Sequence, residues 1–186
     1  ESFMCPWGQT LPFVIRSAPF FQQYEDRMLV PTLHFRDGLE TVARELHEHF
    51  RDAGFKLRRK DVHAALAQGY AAQARFIERI QTAGRTALRR LQETSEIGII
   101  LLGRPYNVND PGVNLDVPKK LRDFYGVNVI PMDFLPMDDV DITDINDNMF
   151  WNYGRKILAA AKLTKEHPYL HSIYITNFKC GPDSYV

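Results

Sequence analysis

The spacing of apolar positions changes repeatedly along this chain of 186 residues, and each change predicts a different element. Between residues 37 and 53, Leu39, Val42, Ala43, Leu46 and Phe50 recur every three or four positions, which lines one face of a helix. Gly54 stands where such a helix would stop. A longer stripe runs from about Asp61 to Thr94 through Val62, Leu66, Tyr70, Phe76, Ile80, Leu88 and Leu91, with Arg75, Arg79, Arg85 and Arg89 off it. At Glu96 the helical period ends. "IGIILLG" is a continuous apolar run, the texture of a strand covered on both faces. "LDVPKKLRDFYG" returns to helix, with Asp116 as N-cap, Pro118 in the first turn and Gly126 just past the end. "VNVIPMDFL" predicts a second strand. A further helix is expected from Asp144 or Asn146 to a stop at Pro168, and "LHSIYITNF" predicts a third strand.

Strand, helix, strand, helix, strand is the order of a parallel sheet with right-handed crossovers. The fold expected over residues 96–186 is therefore α/β, a Rossmann-like three-layer domain with a small parallel sheet. A helical part over 36–95 precedes it. Residues 1–35 are rich in proline and aromatics, and Pro6, Pro12, Pro19 and Pro31 predict an irregular segment there. The three parts read as one compact unit.

Charge removes some functions from consideration. Lys and Arg total 23 and Asp and Glu total 23, so the net charge is zero and nothing supports a general electrostatic hold on nucleic acid. No run approaches the roughly 18 apolar residues of a membrane span. No export signal stands at the start, so the expected compartment is the cytoplasm, where a disulfide between Cys5 and Cys180 is not expected. Glu1 as first residue and the stop soon after Cys180 read as a piece cut from a longer chain.

Chemistry is expected where loops leave the carboxyl ends of the strands. Two loops have that position. The first, "GRPYNVNDPGVN", spans Gly103–Asn114. Arg104 offers a planar donor fork, Tyr106 and Asn107 add hydrogen-bonding groups, and Gly103 and Gly112 permit positive φ or close backbone approach. The plainer reading pairs Arg104 with Asp110 or Asp116. The loop carries neither a Walker A sequence nor GxGxxG. The second, "TNFKCGPDS", holds Asn177, Cys180 and Gly181. A helix start near Pro182 would set the thiol at its N-terminus, as a nucleophile, a redox thiol or a metal ligand. The plainer reading is a small apolar residue. Cys5, in "CPWGQTLPF", stands far from Cys180 in sequence, so there is no CxxC pattern, and two thiolates cannot complete a cluster that takes four ligands.

"CPWGQTLPF", "GRPYNVNDPGVN", "VPKKLRDFYGVNVIPMDFLP", "NMFWNYGRKILAAA" and "YITNFKCGPDSYV" resemble the acyl-CoA dehydratase activase-related proteins, kin of the 2-hydroxyglutaryl-CoA dehydratase D-component and its activator. The resemblance covers nearly the whole chain and is most specific from Gly98 to Ser184. It implies a dehydratase-like portion built from Rossmann-like domains, with a 4Fe-4S cluster held by three cysteines. It also implies a low-potential electron delivered by an ATP-driven activator, in the same or a separate chain. By position, Cys5 and Cys180 match metal ligands, and the third expected ligand has no counterpart in this chain. Gly103, Arg104, Tyr106, Asn107, Asn177 and Gly181 are the expected cofactor-binding residues beside them. The leading expectation is part of an iron–sulfur acyl-CoA dehydratase or reductase, the fragment alone being inactive. The alternative is a metal-free α/β domain that binds a small ligand or docks the ATPase portion. A nucleotide-binding domain using the Gly103 loop is a third, disfavoured by the missing glycine fingerprint.

Overall fold

A computed structural model describes residues 6–176 and 180–185. They form two compact units, one ending at Phe76 and the other beginning at Ile77. The boundary falls inside a single long helix.

The first unit is helical. Helix α1, Pro6–Ser17, and the short α2, Pro19–Gln22, occupy the segment expected to be irregular. Proline is tolerated where a helix starts, because the missing N–H has no partner there anyway, and Pro6 and Pro19 each open a helix. Pro12 lies inside α1, and the residue four positions before it, whose carbonyl the ring crowds, is Gly8. Helix α3, Leu39–Asp52, buries Val42 and Ala43, and Val62 from the start of α4, Arg59–Thr94, is buried as well. His34 and His63 meet α3 carboxylates: the His34 N–H donates to Glu45 at 2.9 Å, and His63 Nε2 lies 2.6 Å from Glu40.

The second unit holds a three-stranded parallel sheet in the order β2-β1-β3. Its strands are β1, Gly98–Gly103, β2, Asn128–Pro131, and β3, Leu170–Ile175. Between β1 and β2 lie two short helical turns, α5, Pro105–Asn109, and α6, Pro111–Asn114, and then α7, Val117–Tyr125. Between β2 and β3 lies α8, Asn152–Lys165. Alternation along β1 divides the layers. Ile100 and Leu102 join Ile130, Leu170, Ile157 and Ala160 of α8 and Leu91 of α4 in the main core. Leu101 turns to the other side, toward Val108, Pro111 and Pro118. Helices thus cover both faces, as a Rossmann-like α/β domain requires.

Three local expectations are corrected. Asp116 precedes α7 but sits at φ 56° and makes no side-chain cap; the preceding Leu115 is also left-handed, so the chain turns there by backbone alone. Helix α8 starts at Asn152, not at Asp144 or Asn146, because those residues are used locally. Asp144 pairs with Lys162 at 2.6 Å and the Asn146 side chain accepts from the Asn148 N–H. Gly112 has no positive φ; its N–H donates to Asp110. Gly126 does end α7 in the left-handed region.

Candidate functional site

Gly103 ends β1 at φ 146°, and a Cβ there would sit 2.5 Å from the Ile175 carbonyl oxygen. Only glycine fits so close a backbone approach. It brings the exits of β1 and β3 together, and both loops leave from that point. Arg104 follows at once and extends away from its own loop. Its Nε donates to Asp183 Oδ1 at 2.7 Å, across 79 residues of sequence. The expected partners are not used. Asp110 caps α6 by accepting from the Gly112 and Val113 N–H groups, and Asp116 is exposed.

Asp183 belongs to a single turn of 3-10 helix, Pro182–Tyr185, which follows Cys180. Within it the Ser184 N–H donates to the Gly181 carbonyl, and Ser184 Oγ donates to the Cys180 carbonyl at 3.0 Å. The Asp183 side chain is fully buried and that of Arg104 is 17% exposed. Burial works against the Arg104 charge, but the hydrogen bond and charge of Asp183 outweigh it and hold the guanidinium above its usual pKa. Arg104 also stacks over Tyr153 at the start of α8, 5.7 Å from the ring centre. The Tyr153 hydroxyl donates to Asp133 at 3.1 Å, and burial, then the Asp133 charge, push that phenol well up.

Cys180 is half-buried and is not in a disulfide. The Tyr106 phenol lies within hydrogen-bonding and charge reach of it. Burial, then the charge and hydrogen bond of Cys180, push Tyr106 up to about 12. Burial, then the charges of Asp183 and Cys180, push the Tyr174 phenol of β3 up, against a hydrogen bond with Thr176 and the Arg104 charge. Among the described residues, Arg104 Nη2 and Asp183 Oδ2 have no hydrogen-bond partner. The structure therefore gathers Gly103, Arg104, Tyr106, Cys180 and Asp183 at the carboxyl ends of β1 and β3. Asn107 is buried in α5, where its N–H bonds back to the Arg104 carbonyl. Gly181 lies in the Cys180 turn. Cys5 and Asn177 lie outside the described residues.

Sequence reasoning passed over Tyr153, Tyr174 and Asp133. Tyr174 had a signal: it lies opposite Leu102 in the register, on the face toward α8. Tyr153 and Asp133 had none, since their roles depend on where α8 and the turn after β2 meet.

The family described as the CoA enzyme activase uncharacterised domain (DUF2229) matches residues 1–135. The chain belongs to this family. No curated protein and no solved structure matches it. The match to this activase-related family spans the helical unit, β1, the Gly103–Asn114 loop, α7 and β2. It stops before α8, β3 and the Cys180 turn. Half of the candidate site thus lies inside the activase-domain span and half beyond it.

The described residues contain no group of three or more His, Cys, Asp or Glu side chains placed to hold a metal ion. Cys180 can supply one thiolate. Its neighbours, a guanidinium and a phenol hydroxyl, suit an anionic sulfur centre, whose properties depend on donors and charge around it. The residues fit as one contributor to a shared centre, not as a whole one. Among the described residues no helix is long and apolar enough to cross a membrane.

A cleft of about 900 Å³ lies elsewhere in the same unit. The free edge of β2 (Asn128, Val129, Ile130) forms its floor. Thr82, Thr86 and Arg90 of α4 and Arg122 of α7 line it. None of the expected site residues reaches it.

Proposed function

We propose that this activase-family domain presents Cys180 as one thiolate ligand of a 4Fe-4S cluster completed by ligands outside the described residues. Cys5 is the second candidate ligand in the chain. The cluster receives a low-potential electron from an ATP-driven activator portion and serves a dehydratase-like or reductase step on an acyl-CoA. When bound, it supplies an electron and, at an iron the protein leaves open, a Lewis acid. The chain's own residues orient and insulate: Arg104, bonded to Asp183 and stacked on Tyr153, adds a fixed positive charge at this end of the sheet, and burial keeps the Tyr106 phenol protonated there. One observation carries the reading: the half-buried thiol stands at the carboxyl edge of the sheet, in the turn that Arg104 joins through Asp183. The family kinship supports it.

The test is anaerobic reconstitution of the natural full-length protein with iron and sulfide, followed by iron counts and visible absorption. Cys180→Ser and Cys5→Ser should each abolish cluster retention. Full iron retention by Cys180→Ser would end the proposal. A second reading, a metal-free domain that docks the ATPase portion, draws on the cleft at the β2 edge, where Arg79, Arg90 and Arg122 face one acidic residue, Glu78. On that reading both cysteine variants keep binding the ATPase portion, and an Arg90→Glu change weakens it.

A further inference from the structure

We propose that Asp183 is a positioning residue: through its ion pair with Arg104 it clamps the Cys180 turn to the end of β1 and fixes how far the thiol is exposed. The inference rests on the reading of Cys180 as a working thiol and names what holds it in place.

Among the described residues, the backbone and hydroxyl bonds of the turn are short-range. Ser184 bonds back to Gly181 and Cys180, which shapes the turn but does not place it. The Arg104–Asp183 bond joins it to the sheet from 79 positions away. The pair is an expensive way to stabilise a fold. Burying two charges carries a large desolvation cost before their attraction is counted. Among the described residues, one Arg104 nitrogen and one Asp183 oxygen are buried with no partner, which adds to that cost. Apolar residues of similar size would stabilise the contact as well or better. What they would not supply is direction. A guanidinium bonded to one carboxylate and stacked on Tyr153 has one orientation, and Tyr106 leaves the same backbone two residues later to reach Cys180. Gly103 makes the geometry possible by bringing the two strand exits together.

The experiment uses the iron-free full-length protein. The rate of Cys180 alkylation by iodoacetamide is followed by peptide-resolved mass spectrometry at the alkaline plateau. There the thiol is fully ionised, so the rate no longer depends on the thiolate fraction, and a tenfold change reads exposure beyond the smaller change in thiolate nucleophilicity. Asp183→Asn and Arg104→Ala should each raise that rate by roughly tenfold or more, and the double variant no further, because residues acting as one unit do not add. Asp183→Glu, which keeps the charge, should recover part of the protection. Asp144→Asn, which breaks an exposed pair with Lys162, should leave the rate within about twofold of the parent. An unchanged rate in a natively folded Asp183→Asn, or single effects that add in the double variant, would overturn the clamp. Should Asp183→Asn fail to fold, Arg104→Lys decides: it keeps the charge but loses the planar fork, so an intermediate rate is expected and a parental rate refutes the clamp. Iron plays no part in this measurement, so its failure and the failure of the cluster reading are separate results.

Discussion

The two units of this chain contrast in how they use apolar residues. The unit that begins at Ile77 has a contiguous core in which Ile100, Met132 and Ala160 are fully buried and Leu135 and Ile157 nearly so. The helical unit buries Val42, Ala43 and Val62 and leaves Leu11, Phe13, Val14, Phe20, Phe35 and Phe55 exposed. Burial of apolar area is the main favourable term in folding, so the sheet unit carries its own stability and the helical unit has much less to draw on. The difference teaches where function can be built. A thiol whose neighbours must hold fixed directions belongs on the well-packed unit, and that is where Cys180 lies.

The largest expected effect tests the contrast directly. Ile100→Ala removes a fully buried side chain and should cost the sheet unit about 2–5 kcal/mol. Phe13→Ala, at a side chain 69% exposed, should change stability by less than about 0.5 kcal/mol. The chain has two tryptophans, Trp7 and Trp151, one on each side of the boundary. Trp151 emission in a Trp7→Phe background therefore reports the sheet unit in a urea titration.

A pair of glycines in α4 sharpens the contrast with opposite signs. At Gly84 a Cβ would lie 1.9 Å from the Phe134 carbonyl oxygen, so Gly84→Ala must push backbone aside and should destabilise by about 1–3 kcal/mol. At Gly69, in the helical unit, a Cβ would meet nothing within 4 Å. Gly69→Ala should stabilise by roughly 0.5–1 kcal/mol through helix propensity alone. Thermal midpoints of the two variants check both. Matching signs would mean the sheet unit is no better packed than the helical one.

The smallest effect is electrostatic and confined to the helical unit. The Glu45 pKa is lowered by the His34 backbone hydrogen bond first and the His34 side chain second. A lowered carboxylate contributes stability above its unfolded pKa and loses it as pH falls through the folded value. The His34 amide should therefore lose hydrogen-exchange protection, relative to its intrinsic rate, on acidification through that lowered value, while amides of β1 hold theirs. Glu45→Gln should remove the dependence.

The elements legible in the sequence were those with local causes. The unbroken apolar run of β1, the left-handed Gly126 and the stripes of α3 and α4 each announce themselves within a few residues. Gly103 was readable as a close-approach glycine, and its neighbour became clear only with the fold. The carboxylates near Arg104 in sequence are satisfied by backbone N–H groups or face solvent, and its true partner lies beyond α7, β2, α8 and β3. Helix α1 is hidden in the sequence because proline usually breaks a helix, whereas here Pro6 opens it and Pro12 is accommodated inside it. The late start of α8 was missed because Asp144 and Asn146 look like caps but serve a loop and Lys162 instead.

Whether Cys180 binds iron is tested most directly by comparing the full-length protein before and after anaerobic cluster assembly. Each form is alkylated and the Cys180 peptide is counted by mass spectrometry. The account predicts that Cys180 is blocked in the iron-loaded form and becomes reactive once a chelator strips the iron. Equal labelling of Cys180 in both forms, with iron counted in the loaded protein, would contradict it.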